Sequence, residues 1–490
     1  MLGEHEPDPQ ACFFFLPEIP SSAKRELLLE LHRLINWTFV RELARPFFKT
    51  EGRPSIDPIV MIKMMVVGML FSFTSDRRLV EECADSWAIT EFLGYRPGER
   101  LPVHSNFTNW RKKLGPDFFR DALHQIVAQA LALGLPLSTS RSVDGTSVKA
   151  QASKQGPKLE MPVGADPVEF VEQIFRGEIA PVAPAQEKTI PVNLHDPEAR
   201  LQRKKGETAE FRYCASVAVC TETGLICDAT ATPREQAATA VEHVRHDPLG
   251  VTEIALDRLY DDGEALGALQ AEQVTCYVPR THHDKAGQLS KDEFTYHADV
   301  DEYACPAGQR LRHTRYDAKR QQHFYVAPQA VCRNCPRKAE CTPAKRRSVS
   351  RADSEPARTA AVRRGLRYDE LKARRQTNEH VHLLGKRDHG LRRARGIGLA
   401  AMRIQVCLTA LAINLKKLVR WTQVQRAEAQ AQRAQFAQLG QLGQLAQLAQ
   451  TTQEPVRAFF FALRAGLRQA LGGRWGAGAP RRGVLRPRTA

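Results

Sequence analysis

No uninterrupted apolar run in this sequence is long enough to cross a bilayer. The longest, MIKMMVVGML at 61–70, contains Lys63 and reads as a buried helix, so no membrane partner is expected. The first twenty residues, MLGEHEPDPQACFFFLPEIP, place no basic leader ahead of their short apolar patch. The expectation is therefore a protein of the reducing cytoplasm. The Gly-rich loop with which nucleotide hydrolases cradle phosphates is missing too, so ATP is not implied. Acidic residues are in deficit, 55 against 71 Lys and Arg, giving a net charge of +16 and a pI near 9.5. Such a surplus points to a polyanionic partner, and to nucleic acid before membrane. Disulfides are not expected in a reducing compartment, so the 11 cysteines read as core thiols or metal ligands.

What is present suits two or three folded cores: 490 residues, 42% hydrophobic and 26% charged. Residues 1–135 read as an all-helical domain. Its segments are SAKRELLLELHRLI, then DPIVMIKMMVVGMLFSF opened by Asp57 as cap and Pro58 in the first turn, then DRRLVEECADSWAITEFLG. It closes on HSNFTNWRKKLG, with Ser105 as expected cap and Arg111 and Lys112 as candidate DNA contacts of a helix-turn-helix-like unit. A small bundle with a solvated last helix gives the same pattern. Residues 136–280 turn to strands and helices: SRSVDGTSVKAQAS, EFRYCASVAV with an apolar alternation, LICDATAT, the helix EQAATAVEHVRH, VTEIALD, the helix DDGEALGALQAEQ and VTCYVP. Between the first two strands, GPKLEMPVGADP and onward to Lys204 reads as a loop or small insertion. Residues 281–360 are basic and cysteine-bearing, 361–421 helical, and 422–490 a low-complexity Gln/Leu stretch ending in a basic tail. The helix LAAMRIQVCLTALAINLKKLVRW supplies an apolar face to cover the sheet.

Three carboxylates stand out. Asp144 sits mid-strand, where a charge is disfavoured unless it projects to a site. Asp257 ends VTEIALD, at the carboxyl end of a strand, where open α/β sheets place their chemistry. Glu379 is the one acid in RRQTNEHVHLLGK, where Arg375, Glu379, His382 and Lys386 share a helical face at i, i+4, i+7 and i+11. Taken singly, each also fits a structural acid. Together, converging carboxylates suit two hard cations such as Mg²⁺ or Mn²⁺ for phosphodiester displacement, with Arg375 and Lys386 gripping DNA phosphates. His380, His382 and His389 read as surface groups or phosphate contacts.

VDGTSVKAQAS, ALDRLYDDGE and the spacing R-x3-E-x6-K resemble the DDE transposases of bacterial insertion sequences over roughly residues 45–420, and within them the insertion sequence 1182 branch. GRPSIDPIVMIKMMVVGMLF and RRLVEECADSWAITEFLG resemble that branch's N-terminal helices, and ALAINLKKL its closing helix. The resemblance implies an α/β architecture: an RNase H-like mixed sheet flanked by helices, preceded by the all-α DNA-binding domain and interrupted by the cysteine-rich insertion. It assigns Asp144, Asp257 and Glu379 as catalytic metal ligands. It also implies double-stranded DNA partners, the element's terminal repeats and a target, engaged by a homodimer or higher assembly. Two departures stand: Leu259 replaces the glycine that usually follows the second aspartate by two residues, and Lys372 replaces a tyrosine ahead of Arg375. An RNase H-like nuclease or resolvase would share the metal core, and a copy that binds DNA without cutting it is the non-enzymatic alternative.

Cys305, Cys332, Cys335 and Cys341, spaced C-x26-C-x2-C-x5-C, fit a closed four-thiolate Zn²⁺ site able to fold a segment without a core of its own. Cys12, Cys83, Cys214, Cys220, Cys227, Cys276 and Cys407 lie in apolar patterns and read as core thiols.

Overall fold

The computed structural model describes residues 2–4, 22–96, 99–152, 158–180, 189–203, 206–279 and 289–451, without the side chains of 292 and 436–451. The chain divides into two compact units, residues 1–417 and 418–490.

The first unit opens with helices α1 (Ala23–Leu34), α2 (Phe39–Ala44), α3 (Pro58–Leu70), α4 (Asp76–Asp85), α5 (Trp87–Leu93) and α6 (His104–Ala132). Asp57 caps α3 by accepting the Ile59 N–H at 2.9 Å, and Pro58 begins it. Helix α3 is buried on nearly every side, Lys63 included. The Lys63 ammonium donates to the Phe92 carbonyl at 2.8 Å and faces the Trp37 and Phe92 rings, while burial lowers its pKa to about 8. The cap expected at Ser105 is not used. Helix α6 starts two residues earlier, at His104 with Val103 in the cap position, and Asn106 accepts the Val103 N–H at 3.0 Å. Gly115, at φ 70°, breaks α6 internally, and Pro116 restarts it as a first-turn residue.

A six-stranded sheet follows. Its strands are β1 (Ser140–Lys149), β4 (Arg200–Gln202), β5 (Glu210–Cys220), β6 (Ile226–Thr232), β7 (Glu253–Ala255) and β8 (Thr275–Tyr277). They run β4-β5-β1-β7-β8, with β6 also paired to β5. The β1, β5 and β6 pairings are antiparallel, whereas β1, β7 and β8 are parallel. The alternation read in β5 is absent from its burial: nearly every residue is covered, because both faces carry helices. Helices α8 (Ala238–His246) and α9 (Gly263–Ala271) pack on the face bearing Val143, Ala218 and Ile254. The stretch expected as a loop instead builds a hairpin, β2 (Lys158–Pro162) with β3 (Thr189–Asn193), and α7 (Pro167–Phe175) around Met161, Phe170, Val171 and Val192. Four apolar side chains at strand and helix spacing suffice for that satellite core.

The cysteine-bearing segment is a five-stranded antiparallel sheet of β9 (Thr295–His297), β10 (Glu302–Ala304), β11 (Arg310–Asp317), β12 (Gln322–Val326) and β13 (Ser348–Ala352), with short helices α10 (Gln329–Arg333) and α11 (Lys338–Cys341). It does have a core of its own: Phe294, Tyr303, Leu311, Tyr325 and Val349. One buried side chain from each of β10, β11, β12 and β13, with Phe294 beside them, supplies it, which the cysteine pattern concealed. Then come α12 (Glu355–Ala360), α13 (Leu366–Arg374), α14 (Gln376–Asp388) and α15 (Leu399–Thr451). By length and composition α15 passes as a possible membrane span, although no uninterrupted run in the sequence does. Its residues 402–415 are nonetheless almost all buried in the first unit. Asn414 seals the edge of β6, accepting the Ile226 N–H at 2.9 Å and donating to its carbonyl at 2.7 Å. In the second unit α15 continues to Thr451; the basic tail and Cys12 lie outside the described residues.

Helix α6 is pinned to the sheet through one buried carboxylate. Asp228 on β6 accepts two bonds from Arg120 at 2.8 and 2.6 Å, with His124 at 2.9 Å and His243 at 2.7 Å. The far nitrogen of His243 meets Ser216 Oγ at 2.9 Å, on β5 beside the middle of β1. Burial alone would raise the Asp228 pKa, but the Arg120, His124 and His243 hydrogen bonds hold it well below the usual carboxylate range.

Candidate active site

The parallel register sets two of the acids level. Ser142 lies opposite Ala255 on β7, and two residues further along each chain stand Asp144 and Asp257. Adjacent strands are about 4.8 Å apart, so carboxylates carried to that point are neighbours. Beyond Ala255 the β7 strand ends, leaving Asp144 on a half-exposed stretch of β1. Asp257 accepts the Leu259 N–H at 2.7 Å and caps the short turn Arg258–Tyr260. Leu259 is 51% exposed and is not among the described residues of positive φ, so its side chain meets no steric demand for glycine. Glycine is required at Gly145 instead, where a Cβ would fall 2.7 Å from Cys214 Sγ and 2.9 Å from Glu235 Oε1.

Helix α14 lies over the same stretch. His382 Nε2 stands 3.7 Å from Asp144 Oδ2, and one turn later Lys386 donates to Thr146 Oγ1 at 2.6 Å. A four-residue helical step rises about 6 Å and a two-residue strand step about 6.6 Å, so helix and strand stay in register. Glu379, exposed, sits one turn before His382.

Electrostatics tie the acids together. Burial raises the Asp144 pKa to about 6; Arg375 opposes the rise, and Asp257 and Glu379 add to it. A buried acid that resists ionisation, with two further carboxylates near it, is what a divalent cation relieves, so the donor set fits a hard metal. Even so, among the described residues no three His, Cys, Asp or Glu side chains approach closely enough to form a ready-made metal cluster. The acids are gathered without being converged.

The two cations of the signature are also partly committed. Arg375 acts on Asp144, and its Nε is buried without a hydrogen-bond partner among the described residues. Lys386 is engaged by Thr146. Arg111 is paired to Asp76 at 2.9 and 2.5 Å, while Lys112 is exposed. The reading of His382 and His389 as surface groups fails, because both are buried. His389 Nδ1 bonds the Met69 carbonyl at 2.8 Å, and His382 has its pKa lowered to about 4 by burial, with Lys386 adding to the effect. His382 therefore faces Asp144 as a neutral imidazole whose Nε2 lacks a partner among the described residues. Helical spacing placed it near Glu379, but only packing turned His382 inward, with Asn378, Val381 and Gly385, while Glu379 stays exposed. Glu235 and Tyr260 also border the acids without having been singled out in the sequence; the buried Tyr260 hydroxyl has its pKa raised by burial and by Glu235, Cys214, Asp144 and Asp257.

The four insertion cysteines line one small cavity as free thiols. Burial raises the Cys341 pKa; Arg347 opposes this, and Cys332, Cys305 and Cys335 add to it. The Gln309 N–H donates to Cys305 Sγ at 3.3 Å in the turn at Gly308, which suits a thiolate held for a metal. These thiols, too, fall short of a ready-made cluster. Cys83, Cys214, Cys220, Cys227, Cys276 and Cys407 are buried.

Residues 18–113 match a family model described as a transposase domain (DUF772), and residues 304–419, which include Glu379, match a transposase DDE domain. No curated protein matches the sequence. Among solved structures, the piggyBac transposase synaptic complex with hairpin DNA aligns over 80% of this chain and 74% of that one, at 9% identity and a TM-score of 0.28.

Proposed function

We propose that this chain, which its two matching domains make a DNA transposase of the DDE type, nicks DNA at the ends of an insertion sequence and joins the freed 3′ hydroxyl to a target. The observation that carries the site assignment is the parallel register of β1 and β7, which sets Asp144 level with Asp257 under α14, where His382 Nε2 stands 3.7 Å from Asp144 Oδ2. Asp144, Asp257 and Glu379 would hold Mg²⁺ or Mn²⁺, which when bound activates the attacking oxygen and stabilises the leaving one. This chain's own groups set the geometry around it. Arg375 balances the charge on Asp144, Lys386 fixes α14 against β1 through Thr146, and the turn at Leu259 orients Asp257. A DNA phosphate would compete with Thr146 for Lys386.

The strand order, three antiparallel strands continued by two parallel ones, supports an RNase H-like core, and the helices before it support an end-binding domain of helix-turn-helix type using Arg111 and Lys112. Membership of the insertion sequence 1182 branch rests on the motifs at 52–71 and 77–94. The cavity of four thiols supports a structural Zn²⁺ in the insertion. We place the enzyme in the cytoplasm, working on chromosomal DNA as a homodimer or larger assembly.

The test is cleavage of DNA carrying the inverted repeats that bracket the reading frame. Mg²⁺ or Mn²⁺ should support it and Ca²⁺ should not. Asp144→Asn, Asp257→Asn and Glu379→Gln should each abolish cutting and leave DNA binding intact; full activity in any one removes that residue from the site.

A further inference from the structure

A second candidate site, an apolar cleft edged by cationic side chains, lies apart from the carboxylates. Between α6 and α15 opens a cleft of about 910 Å³ with Asp76, Arg111 and Lys112 on one wall and Arg395 and Gln405 on the other. Arg395 is built in. Gln405 accepts the Arg395 backbone N–H at 2.7 Å and donates to the Gly390 and Arg393 carbonyls at 3.2 and 3.0 Å, bracing the loop from α15. The guanidinium passes over Gly390, where any Cβ would lie 2.6 Å from Arg395 Nη2. Behind the cleft, α3 is tied to the segment that carries Arg395: His389 bonds the Met69 carbonyl at 2.8 Å and Lys416 the Leu70 carbonyl at 3.0 Å.

The charge in this cleft is unbalanced. Asp76, the one carboxylate lining it among the described residues, is taken by both terminal nitrogens of Arg111. Among the described residues no acid forms an ion pair with Arg395. Burial lowers the Arg395 pKa and the Arg111 charge lowers it further, with Asp76 opposing. A partly buried cation held beside another cation costs stability unless an anion joins them. Among the described residues no aromatic side chain lines the cleft, so no ring there stacks on bases, and planar guanidinium forks match phosphate oxygens.

We propose that this cleft grips backbone phosphates of DNA without regard to sequence, with Arg395 as the central ligand beside Lys112 and Arg111. DNA as the source of the phosphate rests on the transposase reading; the anion site itself does not. A second grip of this kind would hold the duplex independently of the acids that cut it.

The experiment compares wild type with Arg395→Met and Lys112→Ala, using a 40-base-pair duplex of arbitrary sequence at several salt concentrations, with inorganic phosphate as the small-anion arm. Without DNA, Arg395→Met should melt no lower than wild type, since it removes an uncompensated charge. It should bind the duplex roughly tenfold more weakly at 0.1 M salt, with the log–log slope reduced by about 0.9, one phosphate's worth. Lys112→Ala, an exposed change that leaves the fold alone, should lose a similar slope. Millimolar inorganic phosphate should stabilise wild type much less than the duplex does. If wild type binds the duplex and both variants match it in affinity and slope, the cleft is not a DNA site. If Arg395→Met melts well below wild type while Lys112→Ala binds normally, Arg395 is structural. Stabilisation by inorganic phosphate equal to that by the duplex makes the site one for small anions, and failure of wild type to bind any DNA overturns the transposase reading as well.

Discussion

Asp144 shows how a residue proposed for catalysis can be costly to the fold. Its pKa is raised from 3.8 to about 6, so the folded protein holds this proton more tightly than the unfolded chain does. Between those values the unfolded state releases the proton first, and folding stability therefore falls as pH rises from about 4 to 6 and stays low above. Asp144→Asn removes that penalty. In EDTA at pH 7.5 the variant should be more stable than wild type, by at most about 3 kcal/mol, and at pH 4 nearly equal to it. Urea melts of both proteins at the two pH values decide the matter; a gap of the same size at each would mean that Asp144 is not strained by its neighbours. His382 belongs to this scale too. Nothing in NEHVH distinguishes His380 from His382, yet one is exposed and the other is buried against Asp144, because α14 presents Asn378, Val381, His382 and Gly385 to the fold.

Among the elements, α6 and the sheet are joined by an interaction that periodicity could not announce. Arg120 and Asp228 are 108 residues apart, and each on its own reads as an ordinary charged residue. Packed together they form a buried pair completed by His124 and His243. Replacing Asp228 by Asn should leave Arg120 buried with Glu242 as its remaining carboxylate partner, at a cost of about 3–5 kcal/mol in equilibrium unfolding. Because the folded Asp228 pKa is held low, this contribution is present above the ordinary carboxylate range and is lost as pH falls. An unchanged unfolding midpoint for the variant at pH 7 would show that α6 is held by apolar packing alone.

At the scale of the whole molecule, the insertion is a folded module and not a loop tied by cysteines. Its stability comes from the Tyr303, Leu311, Tyr325 and Val349 core, so metal removal has a local effect. The Cys332→Ser, Cys335→Ser double variant should lose the roughly one equivalent of zinc expected of a closed site, while the near-ultraviolet signal of the tyrosines persists. Hydrogen exchange should rise around 305–309 and 329–342 and spare β11 and β12. Wild type free of zinc after careful purification would remove the metal; loss of the tyrosine signal in the double variant would show that the core depends on it.

Local chemistry was sufficient to read a good part of this. Asp57 and Pro58 start a helix wherever they are followed by helix-forming apolar residues, and the order β1, β5, β6, α8, β7, α9, β8 follows from periods that neighbouring residues set, whereas the hairpin and helix between β1 and β5 did not show in them. Asp144 and Asp257 stood out because a charge in mid-strand or at a strand end is disfavoured without a purpose, and Glu379 because it is the one acid of a basic helical stretch. Tertiary structure alone decided the rest. The pairing of β1 with β7, which brings Asp144 level with Asp257, joins segments more than a hundred residues apart, and so do the contacts that bury His382 and set Arg395 beside Arg111. Periodicity tells which residues share a face; which partner covers that face depends on packing between segments that no local pattern connects.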